Sequence, residues 1–264
     1  MSDRITVERE GGIALVTLNR PDKLNALDVA MFEALIHTSS SLKEDRSLRC
    51  VVLAGAGRAF CAGLDVSSFA EMAGGADAFF AMHEDGPANR AQQACYGWSA
   101  LPVPVIAAIQ GHCFGGGLQL ALAADIRIAT ADAKLSVMEV KWGLIPDMTG
   151  TQTLRHLVGL DVAKELTFSG RVVAGQEAHE LGMVTRVSED PKAAALELAR
   201  VIAKKSPDAI RHGKRLLDAS VHLDLRAGLA LEAKLQGELI GKPNQIEAVM
   251  ANMQKRDPSF TDPS

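Results

Sequence analysis

The chain has 264 residues, with 28 Lys and Arg against 32 Asp and Glu, a net charge of −4, and is 47 % hydrophobic and 23 % charged. That size supports a sizeable core in one large domain, or one domain with a smaller appendage, and a net-acidic chain with no Lys/Arg cluster lacks the basic face that a nucleic-acid partner requires. Met1-Ser2-Asp3-Arg4 runs straight into an alternating pattern with no secretory signal, and Pro104, Gln110, Gln119 and Asp125 keep the apolar stretches short of a membrane span. A soluble, cytoplasmic protein with no membrane partner is expected.

In chain order, Ile5-Thr6-Val7-Glu8 and Ile13-Ala14-Leu15-Val16-Thr17-Leu18 flank Glu10-Gly11-Gly12, which predicts a hairpin. Asp28 is placed to cap a helix through Met31, Leu35 and Leu42. The run Cys50-Val51-Val52-Leu53-Ala54 reads as a buried strand stopped by Gly55 and Gly57. Helical spacing over 77–100 is broken at Gly86-Pro87. A strand over 103–109, a glycine-rich turn over 111–117, an apolar helix over 117–124 and a strand over 125–129 follow. Strands alternating with helices predict an α/β fold with a parallel sheet covered on both faces. From about Lys192 only helices are expected, over 193–204, 207–220 and 224–240, with apolar faces that need a partner.

Cys50, Cys61, Cys95 and Cys113 form no C-x-x-C pair, and no His lies at ligand spacing from them or from another His, so reduced, mostly buried thiols and no protein-bound metal are expected. Two stretches share one design, a buried strand, a glycine-rich turn and a helix: Val51 to Asp65 and Val105 to Gln119. Phe60 stands where a dinucleotide-binding motif needs its third glycine, and neither turn ends in Gly-Lys-Ser/Thr. Two helix N-termini entering one crevice would present backbone N–H groups to a developing oxyanion. Ser136 has no matching His/Asp arrangement, and His112 is read as structural.

The order of several short motifs resembles the crotonase (enoyl-CoA hydratase/isomerase) superfamily across nearly the whole chain. They are Asn19-Arg20-Pro21-Asp22-Lys23-Leu24-Asn25-Ala26-Leu27, Phe60-Cys61-Ala62-Gly63-Leu64-Asp65, Gly115-Gly116-Gly117 with Ala124-Asp125-Ile126-Arg127, Gly143-Leu144-Ile145-Pro146 with Gly150-Thr151-Gln152, and Lys255-Arg256-Asp257-Pro258-Ser259-Phe260. The resemblance implies a crotonase-like ββα superhelix over 1–191 carrying the site, and a helical C-terminal region over 192–264 that builds a homotrimer or a dimer of trimers. It implies an acyl-CoA thioester substrate, coenzyme A being part of that substrate and no separate cofactor being required. By motif position the thioester oxygen would meet the N–H groups of Leu64 and Gly116, with Ala62, Gly63, Asp65, Gly115, Gln119, Ile145 and Pro146 around the substrate. Lys23 and Ala62 would reach coenzyme A, the Lys255-Arg256 pair would reach a neighbouring subunit's coenzyme A, and Phe69, Met72, Phe79, Phe80 and Met82 in the 66–97 stretch would wall an acyl tunnel.

The acid–base positions depart from hydratase-like sequences, which carry a glutamate two residues after the third glycine. Gln119 stands there, and an amide is no acid or base near neutral pH, although it can orient a water. The second glutamate is Glu139, and eight residues later Asp147 stands where hydratases have glycine. A Glu and Asp at that separation are similar to dienoyl-CoA isomerase-like sequences, which however have Asp at the Gln119 position. These positions favour a double-bond isomerase, from 3- to 2-enoyl or from 3,5- to 2,4-dienoyl, with Glu139 and Asp147 catalytic. Hydration of a 2-enoyl-CoA is the alternative, and a non-catalytic acyl-CoA binder a third.

Overall fold

A computed structural model describes residues 4–68, 81 and 86–263. β1 (Ile5–Glu10) and β2 (Ile13–Leu18) form the expected hairpin, and β2 then pairs in parallel with β3 (Cys50–Gly55). α1 (Val29–Lys43) connects them, and the Asp28 carboxylate accepts a hydrogen bond from Met31 N at 2.8 Å, the cap expected there. α2 (Arg90–Ser99) starts at a capping box in which the side chains of Asn89 and Gln92 each accept from the other residue's backbone N–H. The helix predicted over 77–100 is seen over Arg90–Ser99, while 86–89 are not helical; 77–80 and 82–85 lie outside the described residues, as do Phe69, Met72, Phe79, Phe80 and Met82 of the expected tunnel wall.

β4 (Val105–Ile109), β5 (His112–Phe114) and α3 (Gly116–Leu122) make one ββα turn, and β6 (Ile126–Ala129) and β7 (Lys134–Ser136) begin the next. α4 (Gly150–Leu157), α5 (Leu160–Ser169), β8 (Val173–Ala174), α6 (Gly175–Glu180) and β9 (Arg186–Val187) follow. The larger sheet has the order β1-β2-β3-β4-β6-β9, parallel after the first pair, and the smaller one β5-β7-β8. The chain is thus a mixed α/β superhelix, with a helical end made of α7 (Pro191–Ala203), α8 (Pro207–Ser220), α9 (Leu225–Leu239) and α10 (Pro243–Gln254).

Strand periodicity explains the two layers of core. Val51, Leu53, Val105, Ala107 and Ile109 point to the face covered by α1, α2 and α3, while the alternate residues Cys50, Val52, Ala54, Ile106 and Ala108 pack on Ala195 and Ala199 of α7. Burial on both faces is why β3 and β4 read as unbroken apolar runs. Helices begin earlier than Lys192: α4, α5 and α6 were not anticipated, and neither was α10. The strand predicted over 125–129 begins at Ile126, so Asp125 stands outside it. Its carboxylate accepts from Val105 N and from Lys214 Nζ, both at 2.7 Å, and so fixes the turn before β6 and ties α8 to it. All four cysteines are buried and unpaired, and no helix among the described residues is long and apolar enough to cross a membrane.

One residue of the first motif has a structural task the sequence did not reveal. Asn25 is fully buried; its Nδ2 lies 2.9–3.1 Å from the carbonyls of Ala56, Ala59 and Phe60, and its Oδ1 accepts from Arg20 N at 2.9 Å. It holds the loop after β3 against the 20–27 segment. Asn25→Ala leaves several buried backbone groups without partners, and a loss of about 3 kcal/mol in urea unfolding is expected. A loss under about 1 kcal/mol would mean that water satisfies those carbonyls equally well.

Candidate active site

Three segments run side by side at the ends of the parallel strands. Leu27 N donates to Gly63 O at 2.8 Å, Asp65 N to Leu27 O at 2.9 Å, and Phe114 N to Cys61 O at 3.0 Å. Gly63 has φ +88°, and a Cβ there would lie 2.6 Å from Phe114 O, so the 61–64 strip sits directly on the turn that opens α3. That turn is made by Gly115, whose N–H donates to Ser136 O at 3.0 Å. The next residue, Gly116, is the first of α3, where helix geometry leaves the N–H without an intrahelical acceptor.

The two expected oxyanion donors are therefore neighbours of two glycines in contact. No acceptor is found among the described residues for the N–H of Leu64 or of Gly116. A Cβ on Gly116 would meet Leu27 Cδ1 at 2.9 Å and Met148 Sδ at 3.0 Å. Packing of the protein itself excludes a side chain there.

Glu139 begins the short 3-10 turn Glu139–Trp142 and is only 7 % exposed. Its carboxylate lies against Gly115, at 3.5–3.9 Å from where a Cβ of that glycine would be, which brings it beside the Gly116 N–H. Oε1 accepts from Gln119 Nε2 at 2.6 Å, while Oε2 is buried without a partner among the described residues. Burial pushes the Glu139 carboxyl above its ordinary range; the Gln119 hydrogen bond opposes that rise and the nearby Asp147 charge adds to it. Asp147 is half-buried, and burial raises it too.

Gln119 makes contacts that its expected place around the substrate did not include. Its Oε1 accepts from Met148 N at 2.8 Å and from Gly150 N at 2.9 Å, so the amide oxygen is taken up by the backbone. Asp65 is also engaged within the protein. It accepts from Ser67 Oγ and N and pairs with Arg20 at 2.6 Å, contacts that hold it at about 2. These contacts latch the strip that carries Leu64. Arg20, unassigned in the sequence, serves the same latch by also donating to Ala26 O.

Pro146 is buried and walls two cavities, whereas Ile145 is 74 % exposed and lines neither of them. The larger cavity, about 1100 Å³, runs from Asp147 and Thr149 along α2 and α8. The smaller, about 290 Å³, lies behind Gln119 and Gly115 and is floored by Leu118, Leu154 and Ala163. Ala62 is half-buried beside Gly63, Lys23 is exposed near the same strip, and Arg256 is paired within the chain to Glu247 at 2.6 and 2.8 Å. No group of three metal-ligating side chains occurs among the described residues.

Backbone donors beside a buried, proton-exchanging carboxyl can stabilise an enolate and move its proton. A family model described as enoyl-CoA hydratase/isomerase matches residues 8–263. The chain is 35 % identical over 261 residues to the mitochondrial methylglutaconyl-CoA hydratase of Mus musculus, with 96 % of this chain and 81 % of that protein covered. It is 33 % identical over 257 residues to the short-chain-enoyl-CoA hydratase of Clostridium acetobutylicum, 96 % of each being covered. Among solved structures, an enoyl-CoA hydratase from Bacillus anthracis superposes with a TM-score of 0.88 at 34 % identity, covering 98 % of this chain and all of that one. With its ββα superhelix, its motif order and these relatives, the chain belongs to the enoyl-CoA hydratase/isomerase family.

Proposed function

We propose that this protein isomerises a double bond in an unsaturated acyl-CoA, with Glu139 carrying the proton and the N–H groups of Leu64 and Gly116 holding the thioester oxygen. The observation that carries this reading is the saturated Gln119 oxygen: at the position where hydratase-like sequences have a carboxylate, nothing is left to activate a water. For a 3-enoyl thioester, the C2–H bond breaks, its proton goes to Glu139 Oε2, and its electron pair moves onto the thioester oxygen as a dienolate. Collapse forms the C2–C3 double bond, and C4 takes a proton as the C3–C4 double bond is lost. Each oxyanion donor contributes roughly 2.7–4 kcal/mol in such a step. Asp147 would serve the longer 3,5- to 2,4-dienoyl shift, in which the proton leaves C2 and enters at C6.

Hydration of a 2-enoyl-CoA is the second reading, favoured by the hydratase names of the relatives and by Asp147 as a second carboxylate, half-buried and lining the larger cavity. Coenzyme A belongs to the substrate in both readings. A homotrimer or a dimer of trimers is proposed with them, supported by the exposed apolar Leu217, Leu225 and Met253 on α8 to α10. The test follows ultraviolet absorbance with 3-enoyl-, 3,5-dienoyl- and 2-enoyl-CoA offered separately. Growth of conjugated absorbance from the first or second substrate, with the 2-enoyl thioester untouched, is expected. Loss of the 2-enoyl absorbance without isomerase turnover would replace isomerisation by hydration.

A further inference from the structure

Gln119 is the most constrained polar side chain near Glu139. The amide can be oriented in only one way: two backbone N–H groups, from Met148 and Gly150, need an acceptor, so Oε1 faces them and Nε2 faces Glu139 Oε1 at 2.6 Å. The turn is shaped around that amide. A Cβ on Gly150 would lie 2.8 Å from Gln119 Cγ and Oε1, and Thr149 has φ +74°, a conformation that β-branched residues rarely adopt. Three segments, α3, the 3-10 turn and the start of α4, are thus joined through one side chain that is 2 % exposed.

We infer that Gln119 is a positioning residue: its amide ties Glu139 Oε1 to the Met148–Gly150 turn, leaving Oε2 as the one oxygen that exchanges a proton with substrate. The inference rests on the reading of Glu139 as the proton carrier. Because Oε1 already receives an N–H, a proton taken from C2 resides on Oε2 and returns from there, with no rotation of the carboxyl between the two steps. The same brace sets Asp147, the residue just before the turn, relative to Glu139. A carboxylate at 119 would keep both backbone donors but offer Glu139 an oxygen instead of an N–H, and two acids at that distance share one proton.

Among the described residues, the ionisable groups around Glu139 are Asp147 and, from α2, the buried Cys95 thiol; Arg155 of α4 and Lys164 of α5 line the cavity behind Gln119. Gln119→Glu and Gln119→Leu test the inference by two readouts. One is the pH profile of kcat/KM with the acyl-CoA that the wild type converts. The other is a carbon-13 NMR titration of the Glu139 carboxyl, which needs no turnover. Gln119→Glu keeps the turn's acceptors, and its acid limb and Glu139 titration are expected to rise by about 1 pH unit or more, with KM within about threefold. Gln119→Leu is expected to lower kcat about 100-fold at little-changed KM. A Glu139 titration in Gln119→Glu that matches the wild type overturns the inference, whatever the stability of either variant. If instead that titration shifts while Glu139→Gln keeps full turnover, the positioning stands and the proton-carrier reading fails.

Discussion

Glu139→Gln is expected to lower kcat about 1000-fold while KM for the acyl-CoA stays within about threefold, a loss near 4 kcal/mol in the transition state. The substitution isolates proton transfer because it spares the packing. An amide of the same size keeps an oxygen for Gln119 Nε2 and puts an NH2 where Oε2 now stands buried without a partner among the described residues. The backbone donors at Leu64 and Gly116 are untouched, so ground-state binding of the thioester persists. The pH dependence has a fixed sign. Abstraction needs the carboxylate, and burial raises Glu139 above the ordinary 4.5, so wild-type kcat/KM falls as pH drops through that raised value. The acid limb then lies above the range of an exposed glutamate and disappears in Glu139→Gln. Retention of more than a tenth of wild-type turnover would move the proton to another group, with Asp147 the next to substitute.

Much of this site was legible in the sequence, for reasons that differ by residue. β3 and β4 announced themselves because a strand buried on both faces must be apolar at every position, and Asp28 because an N-cap is a local contact. Glu139, Asp147, Leu64 and Gly116 were reached through the order of motifs, which fixes position along the chain without fixing geometry. Helices α4 to α6 were missed because Gly150, Gly159, Gly170 and Gly175 divide that stretch into pieces of 6 to 10 residues, shorter than the window over which a 3.6-residue period is read. The brace at Gln119 left no sequence signal. Two of its partners are main-chain N–H groups 29 and 31 residues away, and a backbone donor carries no side-chain identity. Motif position placed Asp65 around the substrate but could not show its ion pair, because Arg20 lies 45 residues earlier.

Gly63→Ala is expected to remove most of the activity and to destabilise the fold together. Gly63 combines two constraints, as Gly111 and Gly182 do elsewhere, but at Gly63 they fall on the strip that carries Leu64. Its φ of +88° is costly for any residue with a Cβ, roughly 1–2 kcal/mol, and that Cβ would stand 2.6 Å from Phe114 O, a backbone atom that cannot swing away. Relief requires the 61–64 strip and the Gly115 turn to separate, and these carry the two N–H groups proposed to converge on one oxygen. A shift of about 1 Å is enough to cost on the order of 100-fold in kcat, and loss of one donor costs a similar factor. Gly11→Ala is the control: its φ is +55°, but nothing lies within 4 Å of the added Cβ, in a hairpin turn remote from the site. It carries the conformational cost alone, so urea unfolding should show a drop of about 1 kcal/mol with kcat unchanged. A Gly63→Ala protein with wild-type kcat would show that the Leu64 N–H is not a donor to the reacting oxygen, because the strip cannot accept that methyl group and stay where it is.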